Sequence, residues 1–152
     1  MTFRHRRTRT ITIPARDEHV PLARRAVVDT LRAWGLPEDG EAVYAIRLSS
    51  SELLANAVRH ACAVTAEITV VVELVDGDRI RVGVHDDHPG RPAPADAAAD
   101  ATSGRGLRIV HMIVGELNGV VFTEHTATRG KTVWAELPCS VREETPVPTA
   151  PR

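Results

Sequence analysis

The sequence predicts an α+β two-layer sandwich, with a mixed, mostly antiparallel sheet of about five strands and about three helices on one face. Three observations carry this. Apolar residues alternate in two runs, Ile68 to Leu74 and Ile80 to Val84, on either side of Asp76-Gly77, a strong hairpin signal. Helical spacing replaces the alternation in three other segments. The elements follow as strand, helix, helix, strand, strand, loop, helix, strand, strand. Sequential strands joined by short turns favour antiparallel pairing, with the helices collected on one side.

Each element has its own signal. Phe3 to Ile13 reads as a first strand with Ile11 and Ile13 inward, stopped by Pro14. From Asp17 to Trp34, Val20, Ala23, Val27 and Leu31 share a helical face, and Gly35 ends the helix. A second helix runs from about Glu41 to Ala63. After the hairpin, residues 87–103 are Pro, Ala, Asp and Gly with no large apolar side chain, the composition of a functional lid or a disordered loop. Helical spacing returns in GLRIVHMIVGEL, and two strands follow near 119–125 and 131–137. Residues 1–138 are expected to form a single domain, and 139–152 a disordered tail.

Composition narrows the function. A net charge of −1 gives no general attraction to nucleic acid or to a membrane. The cluster RHRRTR would suit a nucleic-acid arm, but a solvated first strand is the reading adopted, with no direct nucleic-acid contact. Cys62 and Cys139 form no paired motif, and the basic N-terminus lacks the apolar run of a signal peptide. No apolar stretch is long enough to span a membrane, so a cytoplasmic location is expected. Among the basic residues only Lys131 is a lysine; with abundant Ala this points to a GC-rich, bacterial coding sequence and to nothing functional.

Two motifs are set aside. RGKT at 129–132 resembles the end of a phosphate-binding P-loop, but His125 stands where the first Gly belongs and VWAEL reads as a strand. HDDH at 85–88 would place consecutive side chains on opposite faces of a strand, which disfavours a shared metal. Asp86 stands out alone. It continues the alternation of Ile80, Val82 and Val84, so its carboxylate turns toward the core and needs a partner there. A ligand's amino group would serve; an early end to the strand is the plainer alternative. In SGRGLRIV, two glycines open a helix, an arrangement that lets backbone N–H groups face phosphate, although a simple turn uses the same residues. In SSSELLANAVRHA, Glu52, Asn56 and Arg59 fall roughly opposite the stripe of Leu54, Val58 and Ala61. Asn is a costly choice inside a helix. A solvated face is one reading. The other is an amide oxygen that ligates Mg²⁺ and a carboxylate one turn earlier that serves a nucleophile.

Together these motifs, over about residues 10–138, resemble the GHKL ATPase family. ELLANA at 52–57 is similar to the N box, which implies Asn56 as the Mg²⁺ ligand and Glu52 as the catalytic base. Asp86 matches the residue that hydrogen-bonds the adenine amino group. GRGL, comprising Gly104, Arg105, Gly106 and Leu107, matches the second glycine box at the phosphates of ATP. GKTVWAEL matches the closing Gly-x-Thr strand, which implies Thr132 near adenine. One departure is His88, where the first glycine box usually has Gly; Gly90 comes later. The chain most resembles stand-alone anti-sigma-factor serine/threonine kinases. That implies ATP and Mg²⁺ as cofactors, and a sigma factor and an anti-anti-sigma (antagonist) protein as partners, with a homodimer kept open. An ATP-dependent protein-binding module with little or no kinase turnover is the alternative.

Overall fold

The computed structural model describes residues 5–61, 65–87, 103–127 and 130–141. Five strands, β1 (Arg6–Pro14), β2 (Glu67–Val75), β3 (Arg79–Asp86), β4 (Val120–His125) and β5 (Lys131–Pro138), form one sheet in the order β1-β2-β3-β5-β4. Every ladder is antiparallel, so the expected mixed character is absent among the described strands. Helices α1 (Val20–Ala33), α2 (Glu41–Ala61) and α3 (Ser103–Glu116) cover one face. A short 3₁₀ turn, Asp17–His19, precedes α1, so the helix starts later than its periodicity suggests, with Pro at its first turn.

Strand alternation divides the sheet into two chemically different faces. Ile68, Val70 and Val72 of β2, Ile80, Val82 and Val84 of β3, and Val133, Ala135 and Leu137 of β5 are buried against the helices. The β2–β3 turn needs both its central residues at positive φ, and Asp76 (54°) and Gly77 (72°) supply it. Asp78 joins them, its amide donating to the Val75 carbonyl at 3.2 Å, so the loop is one residue longer than the tightest hairpin. Gly35 at φ 83° closes α1, and Asn118 at φ 59° follows α3.

The face away from the helices is held by polar and aromatic groups. Arg81 donates to the Glu73 carboxylate at 2.6 Å and lies 4.4 Å from the Trp134 ring centroid. Phe122 stacks on the same ring from β4, with centroids 6.4 Å apart. The indole therefore lies over Gly83, its cross-strand partner, between a cation and an aromatic ring. RHRRTR runs into β1, and its residues from His5 to Arg9 are exposed, as a solvated strand requires.

A Cβ at position 83 would lie 2.6 Å from the Trp134 ring, and a rigid indole packed on both sides cannot yield cheaply. Gly83→Ala is therefore expected to cost about 1–3 kcal/mol in urea unfolding, the usual range for overpacking. Unchanged stability would mean that the indole is not fixed over the strand.

Candidate functional site

The sequence-predicted residues fall on β3, β5, α2 and α3. Asp86 closes β3, and the next amide, that of Asp87, donates to Thr65 Oγ1 at 2.9 Å. Thr65 lies on the connection between α2 and β2. Lys131 opens β5 directly across from Asp86. The first turn of α3 lies against α2 through Gly106, where a Cβ would overlap the Glu52 carboxylate. Asp86 and Lys131 thus form one contact pair, and Glu52 and the first turn of α3 another.

Asp86 is inside the protein, as its register demands. It is 4% exposed and Lys131 5%, and Nζ of Lys131 donates to Oδ1 of Asp86 at 3.1 Å. Sequence reasoning missed this lysine as a site residue. The signal was available: Lys131 alternates with Val133, Ala135 and Leu137, so it faces the core for the same reason as Asp86. Thr132, expected near a bound base, takes the opposite side of the sheet, where its hydroxyl lies 3.1 Å from Nδ1 of His85. Lys131, and not Thr132, reaches the carboxylate. Gly130, at φ 98°, makes this start of the strand possible, since a side chain there would run into the Asp86 backbone.

The polar stripe of α2 is also more enclosed than its helical wheel implied. Leu53, Leu54, Ala57 and Val58 are all buried, a wider apolar face than Leu54 and Val58 alone, because α2 packs on the sheet and on both other helices. Glu52 and Asn56 are half-buried along its margin, whereas Arg59 is exposed and separate from them. Ser49, one turn before Glu52, is buried and its hydroxyl has no hydrogen-bond partner. In α3, Gly104 falls in the first turn, Arg105 is exposed, Gly106 is half-buried and Leu107 anchors the turn in the core. His88 and the loop from 88 to 102 lie outside the described residues.

These residue types suit a magnesium nucleotide. The buried carboxylate gives an acceptor for a base. The half-buried amide of Asn56 offers a hard oxygen of the kind Mg²⁺ accepts. Glu52 is held one turn away by the close approach of Gly106, and the α3 N-terminus presents backbone N–H groups suited to phosphate. At the far end of the sandwich a hollow is lined by Leu36, Pro37, Val43, Leu117 and Cys139. Its thiol is pushed up to about 11, chiefly by burial and then by Asp78, against the opposing pull of Arg79. It is protonated at neutral pH, so no thiolate nucleophile stands there.

Two predictions concern geometry alone. Gly106→Ala brings a helix-propensity gain of up to about 1 kcal/mol, offset in the wild type by crowding against Glu52. The substitution should therefore be more favourable in a Glu52→Ala background, by about 0.5 kcal/mol or more in a double-mutant cycle. Equal effects in both backgrounds would show that the two residues do not touch. Asp86→Ala removes the acceptor 3.1 Å from a buried ammonium and should cost about 3–5 kcal/mol, while Asp86→Ala with Lys131→Met recovers most of it. A loss under about 1 kcal/mol would mark the pair as solvent-screened.

A family model described as a histidine kinase-like ATPase domain matches residues 13–137. No curated protein matches the chain. Among solved structures, the histidine kinase domain of the blue-light activated histidine kinase EL346 of Erythrobacter litoralis is 26% identical, with a TM-score of 0.52 over 84% of this chain and 62% of that one. ShkA, solved at full length in complex with AMPPNP, is 20% identical, with a TM-score of 0.56 over 88% of this chain and 32% of that one; this second likeness is one of fold. The chain spans less than two thirds of the length of either structure.

Proposed function

The chain belongs to the histidine kinase-like ATPase domain family, and from that premise we propose that it is an ATP-binding regulatory protein that phosphorylates a serine or threonine of an antagonist protein and sequesters a sigma factor. The observations that support the ATP reading are the buried carboxylate of Asp86 at the end of β3 and the packing of Glu52 on α2 against Gly106 in the first turn of α3. The partners follow from the resemblance of the four boxes to stand-alone anti-sigma-factor kinases. Family membership supports phosphoryl transfer in general.

In this reading Asp86 accepts a hydrogen bond from the base, and residues 104–107 hold the phosphates with backbone N–H groups and Arg105. Asn56 supplies the oxygen that would hold Mg²⁺. When bound, the metal neutralises charge on the phosphates that frame the transferred group. A serine or threonine hydroxyl must lose its proton as it attacks. Glu52, half-buried beside Gly106, is the base assigned to take it.

Two substitutions on α2 should fail differently. Asn56→Ala should remove the magnesium dependence of nucleotide binding and abolish transfer. Glu52→Gln keeps the shape and the hydrogen-bonding reach, so it should bind Mg-ATP close to the wild-type affinity while transferring phosphate about 10²–10⁴-fold more slowly. The assay follows label from γ-labelled ATP to candidate antagonist proteins beside a binding titration. Transfer by Glu52→Gln at the wild-type rate would remove Glu52 from the chemistry. A wild type that holds a sigma factor only with ATP, and never transfers phosphate, would favour a binding module with little turnover.

A further inference from the structure

An open groove between α1 and α2 is lined by arginines and contains none of the residues assigned to the nucleotide. It holds about 410 Å³, with Arg24, Arg25, Val28 and Arg32 from α1 and Arg47 and Ser51 from α2. We propose that this groove docks an acidic segment of a partner protein, one that carries carboxylates and an apolar side chain together. The proposal does not depend on nucleotide binding.

The stripe is written into α1. Pro21, Arg24, Arg25, Val28 and Arg32 recur at helical spacing, so they share the face of α1 that borders the groove. Asp29 is the only acid in α1, and it lies 3.8 Å from Arg32, which also bonds Glu38. Arg24, Arg25 and Arg47 are exposed, and their guanidinium groups form no ion pair with a described residue. Three unpaired cations thus line one groove in a chain whose net charge is −1. The low-dielectric helices on either side focus their field outward, which raises the local concentration of anions. The surface is not purely ionic. Val28 is half-buried in the lining, and Tyr44, one turn before Arg47 on α2, is 61% exposed. Arg and Tyr are enriched in protein interfaces, and an apolar side chain set among carboxylates meets both. A nucleic-acid backbone suits the groove less well, because its evenly repeated phosphates would meet Asp29 and Glu38 at the Arg32 end. From Pro21 to Arg32 the stripe runs about 17 Å along the helix axis. That length accepts about three turns of a docked helix or about five residues of extended chain.

The test is a fluorescence anisotropy titration of the full chain with a labelled twelve-residue peptide repeating Glu-Glu-Leu. A Lys-Lys-Leu repeat and an oligothymidylate of the same length are run beside it. The acidic peptide should bind with micromolar affinity at low salt and weaken as salt is raised, while the basic peptide should not bind. Arg24→Glu with Arg47→Glu should weaken the acidic peptide at least about tenfold, since two attractions become repulsions. Arg7→Glu with Arg9→Glu makes the same change in net charge on the exposed basic cluster of β1, and should leave the affinity within about twofold. An equal loss in the two double variants overturns the proposal. So does tighter binding of the oligothymidylate than of the acidic peptide, or no binding of the acidic peptide at millimolar concentration. Should Arg24→Glu with Arg47→Glu fail to fold, amide resonances of the wild type decide. On addition of the acidic peptide the shifts should concentrate at Val28, Arg47 and Ser51; shifts confined to β1 overturn the proposal.

Discussion

A carboxylate and an ammonium buried on the helix-facing side of the sheet form the interaction on which this end of the molecule depends. Neither charge is tolerable there without the other. Antiparallel pairing of β3 with β5 sets Asp86 opposite Lys131, and the pleat turns both toward the core. Replacing such a pair with apolar groups is often neutral or stabilising, so packing alone gives no reason to keep it. The proposed nucleotide site would give one. Among the ion pairs between described residues, it is the one formed by two buried groups on the core face, at the adjoining ends of β3 and β5.

The second constraint is the close approach of α2 and α3. Gly106 removes the side chain that would otherwise keep Glu52 off the first turn of α3. The carboxylate therefore occupies space that any larger residue at 106 would fill. Leu107, Val110 and Val114 hold α3 in the core, while Leu53, Leu54, Ala57 and Val58 hold α2. The glycine and the two apolar stripes together bring the backbone of α2 at Glu52 close to the first turn of α3. The opposite face of the sheet supplies rigidity instead, through the stack of Arg81, Trp134 and Phe122.

Most of the fold was legible because its signals are local. Alternation in Ile68 to Leu74 and Ile80 to Val84, the Asp76-Gly77 turn and the stop at Gly35 each act within a few residues, and each appears in the structure. The inward turn of Asp86 followed from the same period of two. Lys131 obeyed that period as well, yet its rarity drew a compositional explanation, and the motif drew attention to Thr132. The width of the buried face of α2 was not legible, because it depends on three neighbours that a helical wheel does not contain. The contact between Gly106 and Glu52 joins residues far apart in sequence. It becomes visible only once two helices are packed.

The central claim is that this end of the sandwich binds a magnesium nucleotide. Urea unfolding with and without Mg-ATP tests it most directly, because a ligand that binds only the folded state must raise stability. At a ligand concentration 100 times the dissociation constant found by titration, the account predicts a gain of about 2.7 kcal/mol with an unchanged denaturant slope. A midpoint that does not move at millimolar Mg-ATP would contradict it.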